Sequence, residues 1–456
     1  MQKINSQQLV QILHSASQVI DTEVENVSTD SRTARKGDVF IALRGEKFDG
    51  HNFVKDVLAR GVELAVVEKM LPDVPAVRQI VVPDTLEAFG RIGAYNRSLF
   101  KGTVIGLTGS AGKTTTKEEI KFLLSKFGSV YATEGNHNNF IGVPRSLCDL
   151  NLAADYAVIE MGMSAKGEIS RLTSYVKPDI AIVTNVYPMH IEFFPDFESI
   201  AEAKAEIFEG LQTGGTAIVN EDANFAELLE KRALEHDARI VTYGCKNIRT
   251  EQADGTVTAL IGGEEVVFQP AERGEHIVAN ALCALTTVSV LGLDASQAAA
   301  EIKNFGALPG RGKMHCLKLP NGGTYTLIDD SYSGQPEAMK LALKSLDLMP
   351  CRGRKIAVLG KMAELGKTSK AQHIEVGKVL AETGINIVVG VKEETKDILA
   401  QLPADKKTYF FENKDGLDEF LRNKLLQNND IVLIKGARYS SELYKTTEAL
   451  LQQGSD

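Results

Sequence analysis

Short, continuously apolar runs alternate with helical patterns along most of this chain. In the first half the runs lie at residues 38–43, 63–67, 104–108, 156–159, 180–183 and 216–219, and a helical stretch covers 85–100. Apolar runs without polar alternation are typical of strands buried on both faces, and helices between them predict parallel sheets with a helical layer on each side. We therefore predict a small α/β domain over residues 1–83 and a parallel-sheet domain from residue 84 onward.

Two interruptions organise the second half of the chain. Gly262 and Gly263 separate segments 257–261 and 264–268, which predicts a tight β-hairpin because glycine tolerates the positive φ angles of such turns. A Pro-Gly pair at 309–310 ends a helical pattern and predicts a hinge. Further apolar runs follow at 325–328, 355–359, 385–389 and 430–434. They predict a second doubly wound sheet, so the predicted domains are 1–83, 84–310 and 311–456.

Composition narrows the functional classes. A chain of 456 residues is too long for one hydrophobic core, and its hydrophobic share of 43% is enough to build several. The 51 basic and 60 acidic residues give a net charge of -9, which argues against a nucleic-acid partner or an anionic membrane surface. The five cysteines are widely spaced, and the sequence has no signal-peptide pattern and no long apolar run. We expect a soluble, cytoplasmic protein, and a monomer because three internally packed domains need no partner.

The segment 104–116 joins an apolar strand, a glycine turn and a Lys-Thr-Thr-Thr sequence. Glycines let backbone N–H groups point inward, the next helix presents its positive end, and a lysine and a threonine supply a cation and a magnesium-ligating hydroxyl. Leu107 stands where the common phosphate-loop pattern has its first glycine, so this loop begins at Gly109. The residues predicted to bind ATP or GTP are Gly109, Ser110, Ala111, Gly112, Lys113, Thr114 and Thr115.

Other polar residues follow predicted strands, where open α/β sheets bind their ligands. Glu160 ends the run at 156–159 and is a candidate magnesium ligand, with a solvated strand-end glutamate as the alternative. His190 follows the run at 180–183 and is a candidate metal ligand, although single histidines are more often structural. Lys204 lies on a predicted helix and would become an anionic ligand if carbon dioxide converted it to a carbamate; a solvated lysine is the alternative.

Two further polar groups suit a nucleotide-dependent reaction. Residues 134–139, which include Asn139, form a polar turn that suits a site where phosphate meets a carboxylate, and an ordinary Asn-rich turn is the alternative. His276 and Asn280 are four residues apart and share one face of a predicted helix. They suit hydrogen bonding to an adenine, or they simply decorate the helix.

The order and spacing of these segments resemble the Mur ligase family nearly end to end. The resemblance rests on residues 29–32, 48–51, 108–118, 135–144, 160–162, 190–208, 329–332 and 362–366. It implies an α/β fold of three domains, with a central P-loop parallel-sheet domain and a C-terminal Rossmann-like domain. It also implies an ATP-dependent ligase that joins D-alanyl-D-alanine to UDP-N-acetylmuramoyl-tripeptide through an acyl phosphate, in peptidoglycan precursor synthesis.

The resemblance also implies roles for individual residues. The candidate catalytic residues are Lys113, Lys204, His190 and Asn139. Two magnesium ions are implied, one on Thr114 and Glu160, the other on His190 and a carbamylated Lys204. The residues implied around adenosine and the phosphates are His276, Asn280, Arg311 and Asp330, in addition to the loop. Ser31 and Arg32 would lie in the uridine-diphosphate pocket.

The chain departs from the family pattern at Ala111, at Lys361 and over residues 333–335. The change at Ala111 removes a side chain but leaves the backbone cradle, so nucleotide binding should survive. A sister ligase that adds one amino acid is the nearest alternative, and the absence of an Asp-Asn-Pro-Arg segment argues against it. A folate polyglutamylating enzyme, a P-loop kinase or ATPase, and a non-catalytic binding module are weaker alternatives.

Overall fold

The first part of the chain folds around a small parallel sheet. The computed structural model describes residues 1–45 and 48–454. The first elements are β1 (Ile4–Asn5), α1 (Ser6–Ile12), β2 (Glu23–Val24), β3 (Asn26–Ser28), β4 (Asp38–Ile41), α2 (Val54–Ala59), β5 (Leu64–Val67), β6 (Gln79–Val81) and α3 (Thr85–Leu99). The parallel sheet has the order β3-β4-β5-β6, and β1 pairs with β2 antiparallel. Every residue of β4 and β5 is buried, which confirms the two apolar runs as strands.

Helix α3 joins this sheet to the next. Its N-terminus is capped by the Asp84 carboxylate, which accepts hydrogen bonds from the backbone N–H groups of Leu86 and Glu87. Its buried residues Phe89 and Ile92 belong to the core of the first sheet. Asp84 therefore fixes the start of the helical stretch that the sequence predicted over 85–100.

The central part of the chain contains a larger parallel sheet. Its elements are β7 (Thr103–Thr108), α4 (Lys113–Leu124), β8 (Val130–Ala132), α5 (Gly142–Cys148), β9 (Tyr156–Glu160), α6 (Glu168–Val176), β10 (Ile180–Val183), α7 (Phe197–Ala205), β11 (Thr216–Asn220), α8 (Ala226–Leu234), β12 (Arg239–Tyr243), β13 (Ile248–Glu251), β14 (Val257–Ile261), β15 (Glu264–Phe268), α9 (Glu275–Val290) and α10 (Ala295–Glu301). The sheet order is β12-β11-β10-β7-β9-β8, with all neighbours parallel. Apolar side chains cover both of its faces. Strands β7, β9 and β10 are adjacent, so their carboxyl ends meet at one edge.

The predicted hairpin is confirmed. Strands β14 and β15 pair antiparallel, and Ile261 lies opposite Glu264 across the two glycines. Gly262 and Gly263 have φ angles of 61° and 91°, the left-handed values that the turn requires. Strand β13 adds a third antiparallel strand to this hairpin.

The third part of the chain forms another sheet. Its elements are β16 (Lys313–Lys318), β17 (Thr324–Asp330), α11 (Pro336–Leu348), β18 (Lys355–Gly360), α12 (Ser369–Ala381), β19 (Ile387–Val391), α13 (Lys396–Leu399), β20 (Lys407–Phe411), α14 (Leu417–Phe420), β21 (Ile431–Lys435), α15 (Arg438–Ser441) and α16 (Leu443–Gly454). The order is β16-β17-β21-β18-β19-β20, and only β16 runs antiparallel to its neighbour. The four apolar runs are confirmed as strands, whereas β16 and β20 were not predicted. In the part of the chain that the structure describes, no helix is both long and apolar enough to cross a membrane.

Candidate active site

The carboxyl ends of the central and third sheets face one cavity of about 1040 Å³. Parallel strands deliver the residues that follow them to one sheet edge, and here two such edges oppose each other. The sequence-predicted residues that line the cavity are Ser110, Ala111, Gly112, Lys113, Thr114, Thr115, Glu160, His190, His276, Asn280, Arg311 and Asp330. The structure thus brings together most of the predicted nucleotide and metal residues. The predicted residues outside its lining are Gly109, Asn139, Lys204, Ser31 and Arg32.

The glycine turn between β7 and α4 has the backbone that a phosphate loop needs. Gly109 and Gly112 have φ angles of 152° and 76°. A Cβ at Gly109 would collide with Thr184 Oγ1, so only glycine fits there. Helix α4 begins at Lys113, directly after the turn, and its first N–H groups lie beside the loop. A helix N-terminus of this kind favours a bound phosphate.

The segment after β10 holds the loop in place. Asn185 Oδ1 accepts a hydrogen bond from Ala111 N at 2.7 Å, and Asn185 Nδ2 donates to Ala111 O at 3.0 Å. Thr184 Oγ1 donates to the same carbonyl at 3.0 Å. Ser110 Oγ accepts from Tyr187 N at 2.9 Å. Asn185 was not predicted to have a role, and its position after an apolar run is the only sequence signal for one.

Lys113 and Thr114 lie at the start of α4. Lys113 Nζ donates to Gly109 O at 2.8 Å, and burial lowers the pKa of this lysine. Thr114 Oγ1 accepts from Arg311 Nη2 at 2.9 Å. Arg311 follows the central part of the chain, so this bond joins the phosphate loop to the start of the third part. Two cationic groups therefore converge on the loop.

Glu160 is buried at the end of β9. Its Oε1 accepts from Asn138 Nδ2 at 2.7 Å, whereas its Oε2 is a buried oxygen without a hydrogen-bond partner. The nearest cation is Lys117 Nζ, 3.8 Å from Oε2. Lys117 is fully buried and donates to Thr133 O at 2.5 Å and Gly135 O at 2.8 Å. Neither Lys117 nor Asn138 was predicted to contact this site, although both lie in segments of the chain that carry predicted site residues.

Asn139, a predicted catalytic residue, caps a helix. It is exposed, and its Oδ1 accepts from Gly142 N at 2.9 Å and from Ile141 N at 3.1 Å. These bonds satisfy the first N–H groups of α5. The adjacent Asn138 is the residue of this turn that reaches Glu160. In this polar turn, the side chain of Asn138 thus faces the cavity, while the side chain of Asn139 stabilises the start of α5.

His190 and Lys204 are the two remaining predicted metal ligands. His190 Nδ1 is 2.5 Å from Glu364 Oε2, a carboxylate from the third part of the chain. Lys204 lies on α7 and is only 3% exposed. Burial, reinforced by the nearby charge of Lys113, lowers the pKa of Lys204 well below its usual value. A lysine with a lowered pKa has a larger share of the neutral amine, the form that reacts with carbon dioxide.

The third sheet presents a buried ion pair and two stacked arginines. Lys435 Nζ, at the end of β21, donates to Asp330 Oδ2 at the end of β17, at 2.7 Å. Burial raises the pKa of the Asp330 carboxyl, and the Lys435 charge opposes that rise. The guanidinium carbons of Arg311 and Arg438 lie 4.2 and 5.3 Å from the centre of the Tyr332 ring. Neither Lys435 nor Arg438 was predicted from the sequence.

Asn280 and His276 lie on α9, on the cavity side. Asn280 Oδ1 accepts from Thr116 Oγ1 at 3.2 Å, which ties α9 to α4. Their shared helix face therefore lines the predicted nucleotide pocket.

Ser31 and Arg32 lie in a separate place, in the loop between β3 and β4 of the first sheet. Arg32 is exposed and forms an ion pair with Asp30 at 2.7 Å, which lowers the pKa of Asp30 to about 2. The carbonyl oxygen of Ser31 accepts from Arg60. Arg32 and Asp30 thus form an exposed ion pair outside the lining of the cavity.

The chain matches three family models in order. Residues 23–97 match "Mur ligase family, catalytic domain", residues 107–288 match "Mur ligase middle domain", and residues 312–438 match "Mur ligase, glutamate ligase domain". The UDP-N-acetylmuramoyl-tripeptide–D-alanyl-D-alanine ligase of Escherichia coli K12 is 33% identical, with 100% of both chains covered. The enzyme of that name from Bacillus subtilis 168 is also 33% identical, with 91% of each chain covered.

Solved structures show the same likeness. A crystal structure of MurF from Acinetobacter baumannii superposes with a TM-score of 0.88, is 30% identical and covers 99% of both chains. A MurF ligase from Thermotoga maritima in complex with ADP has a TM-score of 0.80, is 26% identical and covers 94% of this chain and 97% of its own. The likeness therefore extends over nearly the whole chain.

Proposed function

We propose that this chain, which belongs to the Mur ligase family, joins D-alanyl-D-alanine to UDP-N-acetylmuramoyl-tripeptide with ATP, a step of peptidoglycan precursor synthesis. The chain is an ATP-dependent ligase, as the UDP-N-acetylmuramoyl-tripeptide–D-alanyl-D-alanine ligases to which it is similar indicate. The observation that carries the proposal is the shared cavity, in which a phosphate loop on one sheet faces a charged edge of another. Such an arrangement suits a reaction that must bring ATP, a carboxylate and an amine together.

The proposed reaction has two steps. The terminal carboxylate of the tripeptide attacks the γ-phosphorus of ATP, ADP leaves, and an acyl phosphate forms. The amine of D-alanyl-D-alanine then attacks the acyl carbon, inorganic phosphate leaves with the bonding pair, and the amine loses a proton. Lys113 and the N–H groups of residues 109–114 would hold the phosphates, and Arg311 would offset the negative charge that accumulates between ATP and the carboxylate.

The residues around Glu160 fit a magnesium ion. Glu160 Oε2 is a buried acceptor without a partner, and a hard cation prefers such an oxygen together with a hydroxyl such as that of Thr114. Among residues 1–45 and 48–454 no group of three His, Cys, Asp or Glu side chains could hold a metal. The proposed ligand sets, Thr114 with Glu160 and His190 with a carbamylated Lys204, do not require such a group. Magnesium there would neutralise phosphate charge during phosphoryl transfer.

The remaining residues are assigned by their place in the cavity. His276, Asn280 and Asp330 would surround the adenosine, while Ser31 and Arg32 would contact the uridine diphosphate. Asn139 would act only indirectly, by fixing the turn from which Asn138 reaches Glu160.

We also propose three domains, 1–83, 84–310 and 311–456, which close over the cavity about the Pro309–Gly310 segment. The chain would act as a monomer in the cytoplasm, on small-molecule substrates, without nucleic acid or stable membrane insertion.

An assay of ADP release with purified protein tests the function. ADP release should require both UDP-N-acetylmuramoyl-tripeptide and D-alanyl-D-alanine, and the Lys113→Ala variant should lower its rate about 100-fold or more. Activity with a single amino acid in place of the dipeptide would instead identify a sister ligase. ATP hydrolysis that is independent of both substrates would refute the ligase assignment in favour of a P-loop ATPase.

A further inference from the structure

We propose that Glu364 is a positioning residue, which fixes the imidazole of His190 only when the third domain lies against the central one. The inference rests on the proposed function, in which His190 is a metal ligand. Glu364 lies in the loop after β18, and His190 follows β10 of the other sheet. Their contact, 2.5 Å between Glu364 Oε2 and His190 Nδ1, therefore spans the boundary between two domains.

The backbone at both residues supports a specific contact. His190 has a φ angle of 56° and Glu364 one of 60°. Side chains other than glycine seldom adopt such angles, and the strain persists only where the surrounding structure imposes it. Two strained residues that meet each other's side chains are more than a random surface ion pair. The histidine side chain is also largely buried, at 19% exposure, so water screens the pair only in part.

The loops around the pair are held on both sides. The short helical turn Ile191–Phe193 packs against the turn Gly366–Thr368 of the third domain. At Gly366, whose φ angle is 48°, a Cβ would lie 2.6 Å from Glu192 Cβ, so the two loops approach as closely as glycine permits. Leu365, between Glu364 and Gly366, is buried in the third core. The loop that carries the Glu364 carboxylate is thus anchored in the core of the third domain.

The chemistry of imidazole gives this contact a consequence. Among the residues that the structure describes, His190 Nδ1 is a buried nitrogen without a formed hydrogen bond, and the carboxylate oxygen beside it is Glu364 Oε2 at 2.5 Å. A carboxylate at that distance favours the tautomer that carries its proton on Nδ1, and this tautomer leaves Nε2 as a lone-pair donor. A metal ligand fixed in this way binds its ion more tightly than a freely rotating ring. Because the carboxylate belongs to another domain, the imidazole of His190 is oriented for metal binding only when the two domains are closed.

Two variants of the chain test the proposal. Glu364→Ala removes the acceptor, whereas Glu364→Gln keeps the size of the side chain and an uncharged amide oxygen that can still accept a hydrogen bond. Mn²⁺ serves as the probe, and its affinity in the presence of ADP is measured by electron paramagnetic resonance. We expect Glu364→Ala to weaken Mn²⁺ binding about 10- to 100-fold and Glu364→Gln to weaken it less. Glu375→Gln, an exposed third-domain carboxylate paired with Lys378, is the matched control and should match the parent.

A second readout needs no metal. In a protein labelled with ¹⁵N-histidine, the nitrogen chemical shifts report the tautomer of each imidazole. The His190 signals are those that are missing from the spectrum of His190→Gln. The parent should show one tautomer protonated at Nδ1, and Glu364→Ala a mixture. Unchanged Mn²⁺ affinity together with an unchanged tautomer in folded Glu364→Ala would overturn the proposal. A parent protein that binds no Mn²⁺ would refute the metal role of His190 in the proposed function, and the tautomer would still decide the role of Glu364.

Discussion

Glu119 is a buried carboxyl group whose charge should destabilise the fold. It lies on α4, only 4% exposed, and it borders the cavity beside the phosphate loop. Burial raises the pKa of Glu119 from an ordinary value of 4.5 to about 8. The folded protein therefore favours the protonated form, and stability falls as the pH rises from the unfolded pKa to the folded pKa. The loss is complete above about pH 8.

The magnitude follows from the two pKa values. Each unit between them costs about 1.4 kcal/mol, so at pH 7 the unfolded state gains about 3 kcal/mol over the folded state from this one group. Glutamine has the same shape and cannot ionise. We expect Glu119→Gln to stabilise the protein by about 3 kcal/mol at pH 7, and to leave its stability almost unchanged near pH 4.

Urea unfolding of the parent and of Glu119→Gln at pH 5, 6, 7 and 8 measures the difference. Comparison at equal pH cancels the titration of all other groups, so the gap between the two urea midpoints should widen with pH. Glu235→Gln is the control, because the pKa of Glu235 is lowered by its hydrogen bond to Arg232 and the substitution should bring no gain. A gap that stays constant from pH 5 to pH 8 would refute the reasoning.

Three further substitutions test the site. Asn185→Ala removes both bonds to Ala111 and should raise the KM for ATP about tenfold, as steady-state kinetics at varied ATP would show; an unchanged KM would mean that the loop holds its shape alone. Lys435→Met removes the hydrogen-bonded partner of the largely buried Asp330 and should cost about 3 kcal/mol in urea unfolding, most of which Asp330→Asn in the same chain should restore; no recovery would contradict the pairing. Lys113→Ala should lower kcat about 100-fold or more while the thermal midpoint without nucleotide stays close to that of the parent, and a fall in both would point to misfolding.

The elements of this fold were predictable where burial is complete. The runs that became β4, β5, β7 and β10 have no polar alternation because both faces of their sheets are covered. Strand β16 escaped prediction because it is an edge strand with mostly half-exposed or exposed residues, so its apolar signal is weak.

The candidate site was predictable in its sequence-local parts. The phosphate loop depends on consecutive residues, and its glycine geometry follows from the sequence itself. Asn185, Lys435 and Glu364 act on groups far away in the chain, and only the fold reveals which loop each one reaches. Asn139 shows the converse, because sequence could not tell which asparagine of the turn faces the cavity and which one caps α5.

Lys117 connects the helix that follows the phosphate loop with the polar turn that carries Asn138. Its ammonium group donates hydrogen bonds to the carbonyl oxygens of Thr133 and Gly135, while its backbone belongs to the helix that starts at the phosphate loop. A movement of that helix would therefore also displace the turn that carries Asn138 and change the distance between Asn138 and Glu160.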